Sequence, residues 1–141
     1  MTASFDIEVY VRFAETDAAG HINNTSYFLY LEEARTKFFY EVGIGKTKTD
    51  KPSSINFILA STKCDYVSQA FAGQILKVTT TVTNIGTKSF TVDHIITTDR
   101  DQVVARATAT LVCFNYAEQK TQPISDLIRN NLEKNLNKIN G

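Results

Sequence analysis

Neither sign of charge is in excess in this sequence. Fifteen lysines and arginines stand against fifteen aspartates and glutamates, for a formal net charge of zero. That argues against a nucleic-acid partner, which calls for a basic surplus to meet phosphate, and no basic low-complexity arm supplies one locally. The same balance leaves little to oppose self-association. Long hydrophobic runs are missing too: no stretch approaches the ~18 consecutive apolar residues of a membrane-spanning helix. The opening "MTASFDIEVYVRF" has neither the charged start nor the apolar run of a secretory leader. Cysteine is reduced to Cys64 and Cys113 without CxxC spacing, so reduced thiols are expected and not a disulfide. Two histidines, equally scattered, give no metal constellation, and there is no glycine-rich phosphate loop. These absences predict a cytoplasmic protein with no cofactor and no nucleic-acid or membrane partner.

What is present reads as one domain covering 1–141. Hydrophobic residues at 43% and charged residues at 21% are the balance of a soluble globular protein, and such a length buries about 68% of the unfolded surface. Phe5, Ile7, Val9, Val11 and Phe13 alternate with Asp6, Glu8, Tyr10 and Arg12, the period of a strand with one buried face. A loop from Ala14 to Asn23 follows. Then "NTSYFLYLEEARTKFFYEVGIG" switches to helical spacing. Tyr27, Leu31, Ala34, Phe38 and Val42 form one row, Phe28, Arg35 and Phe39 a second, and Leu29 and Tyr30 widen the apolar surface. A helix apolar around so much of its circumference is one wrapped on several sides. Asn23, Asn24 or Thr25 can cap its start, and Gly43 can stop it.

Past a polar linker, "KTKTDKP", the chain turns strand-rich. "SSINFILASTKCDYVSQ" reads as a strand bent in the middle. "GQILKVTTTVTNIG" sets Leu76, Val78, Thr80 and Val82 against Ile75, Lys77, Thr79, Thr81 and Thr83. "TKSFTVDHIITTD" and "QVVARATATLVCFNYA" complete four strands, the last two parted by a turn, "DRDQ". Val103, Ala105, Ala107, Ala109, Leu111 and Cys113 share a face, and three alanines in a row there predict something bulky pressing close, with the aromatic helix as the candidate. The tail over 120–141 carries Ile124, Leu127, Ile128, Leu132, Leu136 and Ile139 at helical spacing, after Pro123 and a capping Ser125, with Gly141 at its end. The order is strand, long helix, four strands, short helix. An α+β fold follows, with a curved antiparallel five-stranded sheet around one central helix and a short C-terminal helix appended. Such a sheet has an edge that needs cover, which pairing with a second copy would supply.

The unusual segment is "ETDAAGHINN", between strand and helix. With its flanks it reads "VRFAETDAAGHINNTSYFLYLEEAR", and it resembles the hotdog-fold acyl-CoA thioesterases of the 4-hydroxybenzoyl-CoA thioesterase-like group. That group's pattern is an aromatic, Asp-Thr-Asp, two residues, Gly-His, an aliphatic, Asn-Asn, and Tyr entering the helix. "IGTKSFTVDHII" and "VVARATATLVCFN" are a weaker second match, and together the likeness runs from about Phe5 to Asn115. The resemblance implies the hotdog fold and cleavage of acyl-CoA to free acid and coenzyme A. It also implies a homodimer, often paired into a homotetramer, with sites at subunit interfaces. Asp17 matches the group's catalytic carboxylate, and the backbone amide around Asn24 matches the place where the thioester carbonyl is polarised.

The residues themselves can do this chemistry. Thioester hydrolysis needs something to deliver water or attack the carbonyl, and something to hold the oxyanion. Asp17 can serve as general base or as a nucleophile forming an anhydride. Free amides at a helix N-terminus can hold negative charge. Gly20 lets the chain bend so that one loop brings both to a single carbonyl. His21 steadies the loop or orients Asp17 or substrate. Asn23 and Asn24 also read as caps, and Tyr27 and Phe28 as acyl contacts or core. Glu32 reads as solvated or as paired with Arg35, within one turn. His94 reads as a packed or exposed strand histidine. Lys88, with Lys63 and Arg106, is a candidate for the coenzyme A phosphates on the grounds of charge alone. An aspartate in a turn before a helix commonly does no more than bond the loop. Two other readings therefore stand beside hydrolysis: a hotdog enoyl-thioester hydratase or dehydratase, and a non-catalytic dimer that binds acyl thioesters. Release of free coenzyme A, a change in enoyl absorbance, or neither, tells the three apart.

Overall fold

The computed structural model describes residues 4–44 and 55–136. The linker "KTKTDKP", the first two residues of the predicted second strand (Ser53 and Ser54), Ile139 and Gly141 lie outside these. The elements run β1 (Phe5–Tyr10), α1 (Asn24–Glu41), β2 (Ile55–Tyr66), β3 (Ile75–Ile85), β4 (Ser89–Thr97), β5 (Val103–Asn115), β6 (Lys120–Thr121) and α2 (Asp126–Glu133). The long strands form one antiparallel sheet in the order β1-β3-β4-β5-β2. The sheet does not close, and α1 lies along its inner face, so the architecture is the α+β hotdog arrangement. Among the described residues, no helix is long and apolar enough to cross a membrane.

Alternation along the strands decides which side chains meet the helix. Leu76, Val78, Thr80 and Val82 of β3 point inward, as do Phe90, Val92, His94 and Ile96 of β4 and Ala105, Ala107, Ala109, Leu111 and Cys113 of β5. Small residues on β5 admit the bulky helix side chains. Tyr27, Tyr30, Leu31 and Ala34 pack with Val9, Leu76, Ile96, Ala105 and Ala107 in one buried cluster. Phe38 and Val42 pack with Val82, Phe90, Ala109, Leu111 and Cys113 in another. Burying a side chain such as Leu31 or Phe38 contributes about 1.5–3 kcal/mol. The expected bend of β2 is a register shift between Leu59 and Ser61 against β5, the mark of a β-bulge. Cys64 and Cys113 are free thiols.

The helix row Tyr27, Leu31, Ala34, Phe38 and Val42 is buried throughout. Its C-terminus closes as a Schellman motif: Gly43, at φ +90°, donates to the Tyr40 carbonyl, and Ile44 donates to that of Phe39.

Three expectations are corrected. Phe13 is 83% exposed because the chain leaves the sheet after Tyr10 and enters a 3-10 turn at Phe13–Glu15. A sixth, two-residue strand, Lys120–Thr121, pairs with Phe114 and Asn115 at the end of β5, where a helix was expected to begin; two exposed polar residues carry no period. Leu127 points to solvent; Ile124 and Leu132 hold the tail to the body. Of the two readings of Glu32 the solvated one holds: it is exposed and forms no salt bridge with Arg35 among the described residues. Arg35 instead turns inward and is 6% exposed, with Nη1 unpartnered.

Candidate active site

The segment between β1 and α1 is a small hairpin set on the entrance of the helix. Thr16 bridges Ile22, the Asp17 amide donates to the His21 carbonyl at 2.8 Å, and the Asn23 amide donates to the Glu15 carbonyl at 2.9 Å. At the tip, the Gly20 amide donates to the Asp17 carbonyl at 3.0 Å, and Gly20 sits at φ +84°. A turn of this kind ending in a left-handed residue is the usual three-residue hairpin loop. It explains why glycine stands where it does. Ile22 then anchors the second arm, its amide donating to the Ala70 carbonyl at 2.9 Å.

Within this hairpin, Oδ1 of Asp17 accepts the amides of Ala19 at 2.9 Å and His21 at 3.1 Å. Its other oxygen, Oδ2, accepts no hydrogen bond among the described residues, and the side chain is exposed. One oxygen is therefore spent on holding the carboxylate still, and the other is free. The His21 ring packs edge-on against Phe71, with centroids 4.9 Å apart.

The helix entrance accounts for its own amides. Asn23 is the N-cap: its side chain accepts the Thr25 amide at 3.2 Å, and its carbonyl accepts the Ser26 amide at 2.9 Å. The Asn23 amide is taken by Glu15. Among the described residues, only the Asn24 amide of this first turn is left without an acceptor, and it lies where the helix dipole favours negative charge. Beside it, His21, Asn24, Tyr27, Tyr66, Val67, Ser68 and Gln69 line a groove of about 230 Å³. Tyr66 closes one side, its hydroxyl donating to the Asn24 carbonyl at 3.0 Å and its ring 5.0 Å from that of Tyr27. Burial, with Cys64 and Tyr66 nearby, raises the Tyr27 hydroxyl pKa.

The structure thus brings His21, Asn24 and Tyr27 to one groove. Asp17, Gly20 and Asn23 form the hairpin wall next to it, and Phe28 lies half-exposed on the solvent side of the helix. Lys88 is not part of this group. It sits in the turn after β3, while the hairpin abuts the other end of that strand; eleven residues at about 3.3 Å each put them roughly 30 Å apart within a protomer. Lys63 and Arg106 line a depression on the outer sheet face together with Asp65 and Asp93. There the two cations meet two carboxylates, Lys63 lying 3.8 Å from Asp65, so charge does not favour an anion.

Three neighbours of the site were not singled out by the sequence. Glu15 accepts the Arg12 amide and the Tyr30 hydroxyl, each at 2.9 Å, and the fixed distance from Arg12 to Glu15 was the available signal. Tyr30 read only as apolar surface, and Tyr66, forty-two residues from Asn24 in sequence, gave no signal.

A family model described as the Thioesterase-like superfamily matches residues 11–132. The chain is 28% identical over 128 residues to the long-chain acyl-CoA thioesterase FadM of Escherichia coli (strain K12), a match covering 90% of this chain and 96% of that one. It is 32% identical over 92 residues to YsmA of Bacillus subtilis (strain 168), spanning 65% of this chain and 60% of YsmA. The structure of a predicted thioesterase from Bacillus stearothermophilus superposes with a TM-score of 0.84 at 29% identity, covering 95% of this chain and 97% of that one. With fold, hairpin and family model in agreement, the chain belongs to the Thioesterase-like superfamily and is an enzyme of the thioesterase class.

Proposed function

We propose that the protein hydrolyses acyl-CoA thioesters, with Asp17 as the reacting carboxylate and the Asn24 amide as the oxyanion donor. The observation that carries this reading is the pairing of a carboxylate having one fixed and one free oxygen with the first-turn amide that has no acceptor of its own, seven residues along the same loop. The carbonyl oxygen takes the Asn24 N–H. Oδ2 of Asp17 then either draws a proton from water, which adds to the carbonyl carbon, or adds itself to form an anhydride that water opens. In the first route the C–S bond breaks and the proton held by Asp17 passes to the leaving sulfur; in the second the sulfur leaves as thiolate and is protonated by the proton released when water opens the anhydride. One such oxyanion donor is worth about 2.7–4 kcal/mol in a characterised hydrolase.

The acyl group enters the groove beside Tyr27, where the rings of Tyr27 and Tyr66 and the side chain of Val67 offer apolar surface among polar neighbours. A second copy of the chain completes the site. The exposed edge residues Leu59 and Tyr66, the exposed Phe28 and Leu29 on the helix and the zero net charge all favour a homodimer or a homotetramer.

The test is thiol release from short, long and aromatic acyl-CoAs by wild type and Asp17→Asn, with sedimentation to check that assembly is unchanged. The variant is expected to lose about 10²–10⁴-fold in kcat, and His21→Ala to weaken turnover without abolishing it. Unchanged release by Asp17→Asn would remove that residue from the chemistry. A change in enoyl absorbance without thiol release would replace hydrolysis by hydration.

A further inference from the structure

Resting on the assignment of Asp17, we infer that Glu15 is the positioning residue of the site: a clamp that joins the Asp17 hairpin to the helix and so sets the distance between carboxylate and oxyanion donor. Three hydrogen bonds converge on this one residue. Its Oε1 accepts the Arg12 amide at 2.9 Å, fixing the 3-10 turn that leads out of β1. The same atom accepts the Tyr30 hydroxyl at 2.9 Å, from the second turn of α1. Its backbone carbonyl accepts the Asn23 amide at 2.9 Å, and Asn23 is the N-cap of that helix. Glu15 therefore holds the hairpin at its base on both sides, with Asp17 two residues away on one arm and Asn24 next to Asn23 on the other.

Tyr30 is suited to the far end of this clamp. Its ring is buried, 3% exposed, within the cluster that also contains Leu31, Ala34 and Leu76, so the hydroxyl is carried by a side chain that cannot swing. Burial and the bond to Glu15 push the hydroxyl pKa well above the usual tyrosine range. A carboxylate acceptor makes the bond charge-assisted, and stronger than a neutral one.

The geometry also separates Glu15 from the reacting role. Glu15 is half-buried and its Oε1 is held by two internal donors, one of them on the buried Tyr30, whereas Asp17 is exposed at the tip of the hairpin. Positioning of this kind acts on turnover more than on binding, since a misplacement of about 1 Å between reacting groups can cost about 10²-fold.

Thiol release by Glu15→Ala, Glu15→Gln, Tyr30→Phe and the double variant Glu15→Ala with Tyr30→Phe is measured alongside Asp17→Asn, with thermal midpoints for each. Glu15→Ala is expected to lower kcat about 10–100-fold with KM within about threefold. Glu15→Gln, which keeps an acceptor oxygen for both donors, is expected to recover most of that loss and to retain the pH limb of kcat/KM. Tyr30→Phe is expected to cost about tenfold and to add nothing further in the double variant, the signature of a shared interaction. Tyr30→Phe removes a single oxygen, so it tests the clamp even where Glu15→Ala fails to fold.

Wild-type kcat per folded molecule in Glu15→Ala or Tyr30→Phe would overturn the inference. So would a Glu15→Gln variant as inactive as Asp17→Asn with its pH limb gone, since Glu15 would then be a reacting carboxylate itself. The two levels separate cleanly: an inactive Asp17→Asn beside a fully active Glu15→Ala removes the clamp alone, and an active Asp17→Asn removes both.

Discussion

At its carboxyl end α1 is sealed. Phe38 and Val42 are buried, Gly43 and Ile44 close the last carbonyls, and the Val42 carbonyl accepts a further bond from Asn131 at 3.0 Å, from a tail helix whose Leu132 is fully buried. At its amino end the same helix is left open. Among the described residues one first-turn amide lacks an acceptor, a groove lies alongside it, and the covering segment is a hairpin with an exposed carboxylate. The difference teaches where each kind of free energy resides. One end is finished for stability, and the other is left unsatisfied at a place where a ligand's oxygen can complete it. A helix whose two ends were equally satisfied would be more stable and would have nothing to offer a carbonyl.

The sharpest way to break this contrast is to open the closed end. Leu132→Ala removes a fully buried side chain and is expected to cost about 2–5 kcal/mol, read by denaturant unfolding, while kcat per folded molecule stays near wild type. A large loss of kcat would show that the tail helix reaches the chemistry.

Next in size is a test along the helix, where His94 packs beneath it. His94 is 1% exposed, its Nδ1 lies 2.8 Å from the Thr80 hydroxyl, and its Nε2 is unpartnered. Burial, followed by the nearby Arg35 charge, lowers its pKa to about 3 from the ordinary 6.5. Between those values the unfolded chain binds a proton that the folded one refuses, so stability is full above pH 6.5 and declines as pH falls toward 3. His94→Gln is expected to flatten that decline in thermal midpoints measured from pH 7 to pH 4. An equally steep decline in the variant would assign acid sensitivity to carboxylates instead.

The smallest effects give the finest comparison. Gly20 and Gly43 both sit at positive φ, +84° and +90°, and a Cβ would meet nothing within 4 Å at Gly20 and only ordinary contacts at Gly43. Alanine at either is expected to cost about 1–2 kcal/mol through backbone strain. Only Gly20→Ala should also lower kcat, because only that strain is relieved by shifting Asp17.

Much of the fold was legible because burial imposes a period. Leu76, Val78, Thr80 and Val82 had to face inward, and three alanines on β5 had to meet something large. What was misread followed contacts or exposure that the period along the chain does not carry. Phe13 keeps the strand period, yet Glu15 captures the Arg12 amide and turns the chain out of the sheet. Arg35 stands one turn from the exposed Glu32, yet it is buried in the body of the protein. In the candidate site, Asp17 and the Asn24 amide could be named from the loop because they are local to it. Glu15, Tyr30 and Tyr66 act across the fold, where spacing along the chain carries little information.

The strand order has a consequence for how the molecule is made. β3, β4 and β5 follow one another and pair as neighbours, so their contacts close over short loops. β1 must find β3 across the helix and β2, and β2 must find β5 across β3 and β4. Loop-closure entropy favours the central meander first and the two edges last. On a chain emerging from the ribosome, α1 is synthesised before the strands β3 to β5 that enclose it. Its aromatic face must wait, uncovered, for the sheet, and pulse-labelled hydrogen exchange should find β4 protected before β1.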